Sequence, residues 1–405
     1  MADGGCHAAL TRRNGSSTPR ERRIYRPAKT LQARALVTEA RREVLLVGAG
    51  HAHLHVTANA RELVARANVS LIDPGDFWYS GLATGVLGGM ADPSEDRVSV
   101  AALAAKSGVR HVRSRVSAID TGERRVVLAD GTRVPYDVLS LNIGSEVDAS
   151  GIELDPEWIW KAKPIPNLVR LRSHLEHAFS HRRSPRVVII GGGPTGCEIA
   201  ANIDGLARRR GARATIEIVT SATRVLDGHD TRAATTIATV FARREISIRT
   251  GVQVAAARDG TVILRNGSSL PCDVAVLATG LRAPELLEGL PAAYRTERGL
   301  RVDATLRCSA DPNLFGAGDC VFFEPRPLAA VGVYAVREAP VLLANLVAAA
   351  KGATLRHYEP QSRTLLIMNL GDGRGLTMWG GVSWFGRSSL WLKNRIDRAF
   401  LAQYR

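Results

Sequence analysis

Two glycine-rich turns are the residues of this sequence best suited to bind a phosphate. Gly48 and Gly50 lie in the string EVLLVGAGHAHLHV, directly after a short apolar segment. The first glycine permits a tight turn, the second lets the backbone approach a pyrophosphate, and the N-terminus of the following helix stabilises its negative charge. Asp73 ends the next apolar segment, NVSLID, where it would accept a hydrogen bond from a ribose hydroxyl. Together these residues predict a dinucleotide site.

A second glycine turn follows in the string RVVIIGGGPTGCEIAANI. Its glycines have the full G-x-G-x-x-G spacing after an apolar strand: Gly191, Gly193 and Gly196. Two such turns, each preceded by a strand, predict that the chain binds two nucleotides. Thr220 stands where an acid for the ribose of NADH is expected, whereas Ser221 and Arg224 could accept a 2′-phosphate. NADPH therefore remains an alternative to NADH, and a solvent-exposed role for Arg224 remains open.

Three histidines follow the first turn. His51 and His55 have a spacing that can bind zinc, but no third ligand is nearby and the helix start is predicted to bind a phosphate. We therefore predict no metal, and a packing or near-phosphate role for His51. His53 replaces the usual third glycine, so we expect the helix to lie further from its strand or to be tilted.

Composition limits the remaining classes of protein. A chain of 405 residues with 45% hydrophobic content predicts two domains, and no apolar run approaches the length of a membrane span. The net charge of +15 is concentrated at the ends: residues 1–42 hold ten Lys/Arg against three Asp/Glu, and residues 351–405 hold nine against three. Because the excess charge is terminal and no recognition motif accompanies it, we predict no nucleic-acid binding.

We interpret residues 1–42 as a disordered basic tail, with a transit peptide or a misassigned start codon as alternatives.

The cysteines argue against a redox disulfide. Five are present without C-x-x-C spacing, and none lies between His7 and Gly196, where a disulfide beside the first nucleotide would be needed. Their number and spacing indicate a reducing compartment and buried, inert thiols.

Two further strings, VAVLATG ending at Gly280 and NLFGAGDC containing Gly318 and Asp319, complete a recognisable order. With the two glycine turns, the chain resembles the two-dinucleotide flavoprotein superfamily of pyridine nucleotide-dependent oxidoreductases. The resemblance implies FAD on the first turn, NAD(P)H on a second, inserted unit, and Asp319 against the flavin ribityl or pyrophosphate.

A closer resemblance is to type II NADH dehydrogenase-like flavoproteins and to the domain joined to selenide, water dikinase. It rests on the strings YSGLATGVLGG, YDVLSLNIGS, WKAKPI and VGVYAVREAPVLLANL, and on the C-terminal region. Gly144 and Gly280 lie in strings that this resemblance places at the nucleotides. Thr84 departs from the family, which usually has proline beside the flavin.

The resemblance implies hydride transfer from NAD(P)H to the flavin, then delivery of two electrons to a small acceptor, with quinone favoured. Glu198 follows the second turn and could relay protons, or only stabilise the helix N-terminus. Lys163 could pair with flavin or acceptor oxygens, or be a solvated linker charge. Tyr334 and Arg337 begin a helix expected to approach the flavin ring.

The C-terminal region predicts two strands joined by a Gly-Asp-Gly turn and a closing helix capped by Ser389. Its predicted apolar face comprises Leu392, Ile396, Ala399, Phe400 and Gln403, with Lys393, Arg395 and Arg398 pointing elsewhere. With Trp384, Phe385 and Trp391 nearby, this helix could lie on an anionic bilayer. Packing on the flavin domain or in a homodimer is the alternative.

The predicted fold is α/β, with two Rossmann-like three-layer domains, the second inserted in the first, and a small C-terminal α+β module. The predicted boundaries are 1–42 for the tail, 43–165 and 283–350 for the FAD domain, 166–282 for the NAD(P)H domain and 351–405 for the module. The predicted function is an FAD-dependent NAD(P)H:quinone reductase, cytoplasmic or peripheral on the inner face of a membrane. A reductase for a protein acceptor and an NAD(P)H-responsive redox sensor are the alternatives.

Overall fold

The computed structural model describes residues 41–405, so nearly all of the predicted basic tail lies outside the described residues. Nine α-helices occur in the described part: α1 (His51–Ala58), α2 (Arg61–Val64), α3 (Ser80–Leu87), α4 (Val100–Ser107), α5 (Pro166–Ser180), α6 (Pro194–Arg209), α7 (Thr231–Ala242), α8 (Gly332–Lys351) and α9 (Arg387–Leu401). Four short 3-10 helices lie at Pro93–Asp96, Glu285–Gly289, Ala292–Tyr294 and Gly318–Cys320.

The strands of the same region follow one another as β1 (Glu43–Val47), β2 (Asn68–Asp73), β3 (Phe77–Trp78), β4 (Arg97–Val98), β5 (Arg110–Arg113), β6 (Val116–Asp120), β7 (Arg125–Leu128), β8 (Arg133–Pro135), β9 (Val138–Leu141), β10 (Glu146–Val147), β11 (Glu153–Leu154), β12 (Trp160–Lys161), β13 (Arg186–Ile190), β14 (Thr215–Val219), β15 (Ser247–Arg249), β16 (Val254–Arg258), β17 (Thr261–Leu264), β18 (Ser269–Pro271), β19 (Val274–Leu277), β20 (Leu281–Arg282), β21 (Arg295–Thr296), β22 (Gly299–Val302), β23 (Leu314–Gly316), β24 (Val321–Phe323), β25 (Leu365–Asn369), β26 (Gly375–Trp379) and β27 (Val382–Gly386).

The first large sheet is parallel, in the strand order β23-β9-β1-β2-β5. Its central strand β1 is buried from Val44 to Val47, as expected for a parallel strand covered on both faces. The chain runs outward from β1 through β2 to one edge and then crosses to β9 on the other side. This reversal leaves a crevice at the carboxyl ends of β1 and β9, where open α/β sheets bind ligands.

The second large sheet is also parallel, in the order β12-β19-β13-β14-β15. Its strands β19-β13-β14-β15 repeat the order of β9-β1-β2-β5, but its edge strand β12 comes first in the chain, whereas β23 comes last in the first sheet. Each sheet has its own cluster of buried apolar side chains. The chain enters the second sheet before it supplies β23 to the first, so the second unit is inserted in the first. Because β12 precedes residue 166, the change of sheet occurs earlier than the predicted boundary after residue 165.

The C-terminal module contains the predicted hairpin and one strand more. β25 and β26 pair antiparallel around the turn at Gly371-Asp372-Gly373, and β27 adds a third strand. The predicted N-cap at Ser389 is wrong: Gly386 precedes the first residue of α9, and the Ser389 hydroxyl, inside the helix, donates to the Trp384 carbonyl at 3.1 Å.

The predicted apolar face of α9 is also wrong. Ile396 is 41% exposed and Ala399 and Gln403 are exposed, whereas Lys393 is buried. The buried residues of the helix are Ser389, Leu390, Lys393, Asp397, Phe400 and Leu401. A hydrophobicity pattern assigns lysine and aspartate to solvent, but here the two form a buried ion pair of 2.7 Å.

Helix α8 is, by length and composition alone, apolar enough to cross a membrane. It packs against α1 and buries Glu338 and Asn345, two polar side chains that hydrogen-bond within the protein. In this structure α8 is therefore a packed helix of the first unit.

Candidate functional site

The first glycine turn forms at the carboxyl end of β1. Gly48 has a φ of +82°, and its amide donates to the Ile72 carbonyl at 2.9 Å, while the Gly50 amide donates to the Asn142 carbonyl at 3.1 Å. Asp73 braces the turn, because its carboxylate accepts from the amides of Ala49 at 2.7 Å and Gly75 at 2.9 Å. Desolvation raises the pKa of Asp73. The acid predicted to accept from a ribose hydroxyl thus also shapes the turn itself.

The three histidines have separate surroundings. His51 contacts the rings of Phe77 and Phe400, and burial lowers its pKa to about 4. The His53 ring connects the first glycine turn to β9. Its Nδ1 lies 2.6 Å from the Gly48 carbonyl and its Nε2 lies 2.8 Å from the Ser140 hydroxyl. The position of the missing third glycine is therefore filled by a hydrogen-bonded imidazole. Among residues 41–405, no three His, Cys, Asp or Glu side chains cluster as a metal site would require.

Asn142 organises this crevice, and the sequence reasoning did not single it out. Its side-chain oxygen accepts from the amides of Ala52 at 2.9 Å and His53 at 3.1 Å, and its side-chain nitrogen donates to the Ala317 carbonyl at 2.6 Å. It therefore ties the start of α1 to the loop that carries the Gly-Asp motif. A polar residue directly after the buried strand VLSL is the signal that could have identified it.

Lys163 and Asp319, two predicted site residues far apart in sequence, meet at this crevice. Their charged groups are 2.9 Å apart, and the Ser145 hydroxyl donates to the same carboxylate oxygen of Asp319 at 2.9 Å. Gly144 precedes Ser145 with a φ of +72°, and a β-carbon there would meet no atom within 4 Å. The cluster thus borders open space on a left-handed turn that favours glycine.

The Gly-Asp motif is held from the other side by α8. The Gly318 amide donates to the Glu338 carboxylate at 2.6 Å, and Glu338 is only 1% exposed. Burial raises the pKa of Glu338 to about 7. A cavity of about 270 Å³ adjoins these residues, and Tyr334 lies in its wall with Asp319.

The second glycine turn has the close packing that its three glycines predict. A β-carbon on Gly191 would collide with the Ala278 carbonyl, and one on Gly196 would collide with the Gly191 carbonyl. By contrast, a β-carbon on Gly193 or Gly280 would meet nothing within 4 Å. The turn is therefore compact towards its own sheet and open on the side where a nucleotide would lie.

Arg224 lies beside this turn but is partly engaged. Its Nη2 donates to the His229 carbonyl at 2.8 Å, while its Nη1 is buried and has no hydrogen-bond partner among the described residues. Thr220 is buried against Gly192, and Ser221 is exposed. The residues after β14 therefore present the Ser221 hydroxyl and the Arg224 guanidinium, and position 220 carries no carboxylate.

Glu198 is held between two other parts of the chain. Its Oε1 accepts from the Asn369 amide at 2.7 Å and from the Thr84 hydroxyl at 3.3 Å. Burial raises its pKa, and the nearby Lys393 lowers it. Glu198 thus joins α6, α3 and the C-terminal module, and belongs to a separate cluster from Lys163.

The four described cysteines are all free and buried. Burial raises the pKa of Cys197 and of Cys320 to about 12, and that of Cys272 to about 11. Such thiols remain protonated at neutral pH and are poor nucleophiles. Cys6 lies outside the described residues.

The crevice fits FAD on this geometry. The first turn lies at the strand reversal, Asp73 ends β2, Gly144 faces open space, and Gly318 with Asp319 closes the other side. The second turn repeats the arrangement on the second sheet, as a second dinucleotide requires.

Comparisons with known proteins agree with this geometry. An NADH dehydrogenase-like protein of Mycobacterium tuberculosis is 32% identical over 237 residues, which are 56% of this chain and 59% of that relative. A Castellaniella defragrans protein named a probable ferredoxin reductase is 30% identical, covering 74% and 73%. A type II NADH:quinone oxidoreductase of Staphylococcus haemolyticus is 22% identical, covering 89% and 95%. The chain thus spans somewhat over half of the first relative and nearly all of the last.

The fold has a close counterpart among solved structures. The sulfide:quinone oxidoreductase of Aquifex aeolicus superposes with a TM-score of 0.76, covering 90% of this chain and 91% of that one, at 17% identity. This likeness supports the α/β fold alone. The profile of the pyridine nucleotide-disulphide oxidoreductases matches residues 42–341. The predicted family is therefore confirmed: the chain belongs to the pyridine nucleotide-disulphide oxidoreductase family.

Proposed function

We propose that this chain is an FAD-dependent NAD(P)H:quinone reductase that works without a redox disulfide. The overall reaction is NAD(P)H + H⁺ + quinone → NAD(P)⁺ + quinol, which balances two electrons and two protons. FAD supplies the two-electron chemistry when bound, and the protein supplies positioning and electrostatics. The buried, protonated cysteines support a direct route to the acceptor.

The first turn is proposed to hold FAD and the second NAD(P)H. Gly48, Gly50 and His51 would lie at the FAD pyrophosphate, and Asp73 at its ribose. Gly144, Gly318, Asp319 and Tyr334 would line the remainder of the flavin. Gly191, Gly193, Gly196 and Gly280 would contact NAD(P)H.

Lys163 is proposed to present a positive charge to the flavin or acceptor oxygens. Its ammonium group is fixed by Asp319 and Ser145 rather than free in solvent, since only 28% of the side chain is exposed. A fixed charge loses little entropy when it meets a developing negative charge. This geometry favours a site role over a solvated linker charge.

Glu198 is proposed to hold the proton that the reduced acceptor takes up. The contact that carries the proposal is its hydrogen bond to the Asn369 amide, because it places an ionisable group of the NAD(P)H unit against the C-terminal module. Burial raises the pKa of Glu198 and so favours the protonated acid, the form that acts as a proton donor.

The C-terminal module favours a lipid-soluble acceptor. Trp379, Val382, Trp384 and Trp391 are exposed large apolar side chains on this module. Such a patch fits peripheral attachment to the inner face of a membrane, where quinone is collected. A protein acceptor is the second candidate, supported by the ferredoxin reductase relative that matches 74% of this chain.

NADPH is proposed as a donor alongside NADH. Position 220 carries no acid that would repel a 2′-phosphate, and the buried Nη1 of Arg224 has no described partner. A 2′-phosphate would compete for this guanidinium with the Asp227 carboxylate, which lies 3.7 Å from the Arg224 Nε.

Anaerobic stopped-flow absorbance at the flavin band tests this function. The protein is mixed with NADH or NADPH, then with a water-soluble quinone or with ferredoxin. Bleaching followed by rapid recolouring with quinone is expected, and Glu198→Gln should slow the recolouring more than the bleaching. Recolouring by ferredoxin alone would establish the protein acceptor, and absence of bound flavin would refute the proposal.

A further inference from the structure

A groove with a cavity volume of about 880 Å³ lies away from both glycine turns. It is bordered by α2, α4, the segment Arg97–Ser99 and the residues that follow α9. It meets α1 at Ala58, the end of that helix opposite the first glycine turn. Its volume lies within the range of about 300–1,000 Å³ typical of small-molecule pockets.

The rim of the groove is strongly cationic. Five basic residues line it, and no acidic residue does so among those described: Arg41, Arg61, Arg97, Lys106 and Arg405. Arg97 is paired with Asp76 at 3.4 Å, and Arg41 and Arg405 donate to backbone carbonyls, which leaves their charge uncompensated. Arg61 and Lys106 form no ion pair within residues 41–405. The rim therefore favours an anion.

The floor of the groove is formed mainly by apolar side chains. Val98, Leu103 and Tyr404 contribute apolar surface. The Ser99 hydroxyl accepts from the Ala102 amide, and the Ser107 hydroxyl donates to the Leu103 carbonyl. The apolar side chains of the floor therefore favour a ligand whose buried part is itself apolar.

We infer that this groove binds a single-chain amphiphilic anion, with its alkyl chain on the floor and its carboxylate at Arg61 and Lys106. Free inorganic phosphate lacks the apolar part that the floor requires. An acidic protein would need a broad interface rather than a concave groove of this volume. Residues 1–40 hold eight Lys/Arg against three Asp/Glu, so their net charge has the wrong sign for the cationic rim.

Calorimetric titration of the full chain with laurate, below its micellar concentration and at low salt, tests the inference. Arg61→Glu with Lys106→Glu should weaken binding on the order of tenfold or more, because both head-group cations become repulsive. Ala102→Trp, which fills the groove without changing its charge, should abolish binding. Arg133→Glu with Arg213→Glu makes the same charge change at two exposed positions that form no ion pair within residues 41–405, and should leave binding unchanged.

Three results would overturn the inference. The first is no binding of laurate to the full chain. The second is equal binding of inorganic phosphate or of dodecyltrimethylammonium. The third is a groove variant that weakens attachment to phosphatidylglycerol vesicles while laurate binding stays intact, which would indicate a membrane surface instead. None of these results depends on flavin turnover, so they are distinguishable from failure of the proposed function.

Discussion

The environment of Glu198 explains the departure at Thr84. A proline at position 84 could not donate a hydrogen bond from its side chain, whereas the Thr84 hydroxyl donates to the Glu198 carboxylate at 3.3 Å. This hydrogen bond stabilises the ionised acid and lowers its pKa against the larger effect of burial. Thr84 is therefore best described as a positioning residue for Glu198.

Thr84→Val should raise the apparent pKa of quinone-dependent flavin reoxidation by up to about one unit, since one hydrogen bond contributes about 1 kcal/mol. The pH profile of the stopped-flow recolouring measures this shift. Thr84→Ser retains the hydroxyl and should keep the original profile. An equal shift in both variants would show that the hydroxyl does not tune Glu198.

Residue types predicted the turns but not the contacts that hold them. Gly191 and Gly196 could be predicted because their close backbone contacts exclude a β-carbon. Only glycine meets this requirement, so the sequence shows glycine at both positions. Asn142 and Ser145 were not predicted, because His53 and Asp319, to which they hydrogen-bond, lie 89 and 174 positions away in the sequence. The assignment of these residues to nucleotides remains a prediction.

At the scale of elements, α9 docks through buried polar groups. The Asp397 carboxylate accepts from the Lys393 ammonium at 2.7 Å and from the Tyr79 hydroxyl at 2.9 Å, and Lys393 also donates to the Gly81 carbonyl. Beside this cluster, the Asp96 carboxylate is fully buried and its oxygens have no hydrogen-bond partner among the described residues. Because polar groups make up much of the buried face of α9, the spacing of apolar residues in the sequence does not predict that face.

Asp96 should make stability depend on pH. Burial and the nearby Asp397 raise its pKa to about 8, against a weaker lowering effect of Lys393 and Arg405. The folded protein therefore keeps a proton that the unfolded chain releases at lower pH. Stability should fall as pH rises towards 8, by up to about 1.4 kcal/mol per pH unit.

Asp96→Asn removes this titration and should flatten the fall in thermal unfolding temperature between pH 6 and 9. Asp259→Asn makes the same chemical change at an exposed turn and should retain the slope of the unaltered protein. A slope unchanged by Asp96→Asn would show that Asp96 is ionised in the folded state.

At the scale of the whole molecule, repetition is what made the fold predictable. Two strand-turn-helix units with glycines predicted two nucleotide-binding sheets, and four strands of each sheet follow the same order. The short strands β10 and β12, which lie where the chain passes from the first sheet to the second, were not predicted. Each has only two residues, too few to show an apolar pattern in the sequence. β27 was missed because none of its five residues is fully buried, so it shows no alternation of buried and exposed side chains.

The outer face of the C-terminal module should attach the protein to anionic membranes. Trp391 is 63% exposed with the guanidinium of Arg395 over its ring, and Ile396 is 41% exposed elsewhere on α9. Deleting residues 384–405 would also remove the buried Leu390, Phe400 and Leu401, so a loss of attachment could not be told from a loss of folding.

Trp391→Glu with Ile396→Glu is the sharper change, because both side chains face solvent. Co-sedimentation with phosphatidylglycerol vesicles at low salt should fall at least about tenfold, since apolar burial contributes about 1 kcal/mol or more per side chain. Ala129→Glu with Thr132→Glu adds the same charge on a distant exposed hairpin and should sediment normally. If both pairs reduce sedimentation equally, net charge alone governs attachment, and this face is free to meet a protein acceptor.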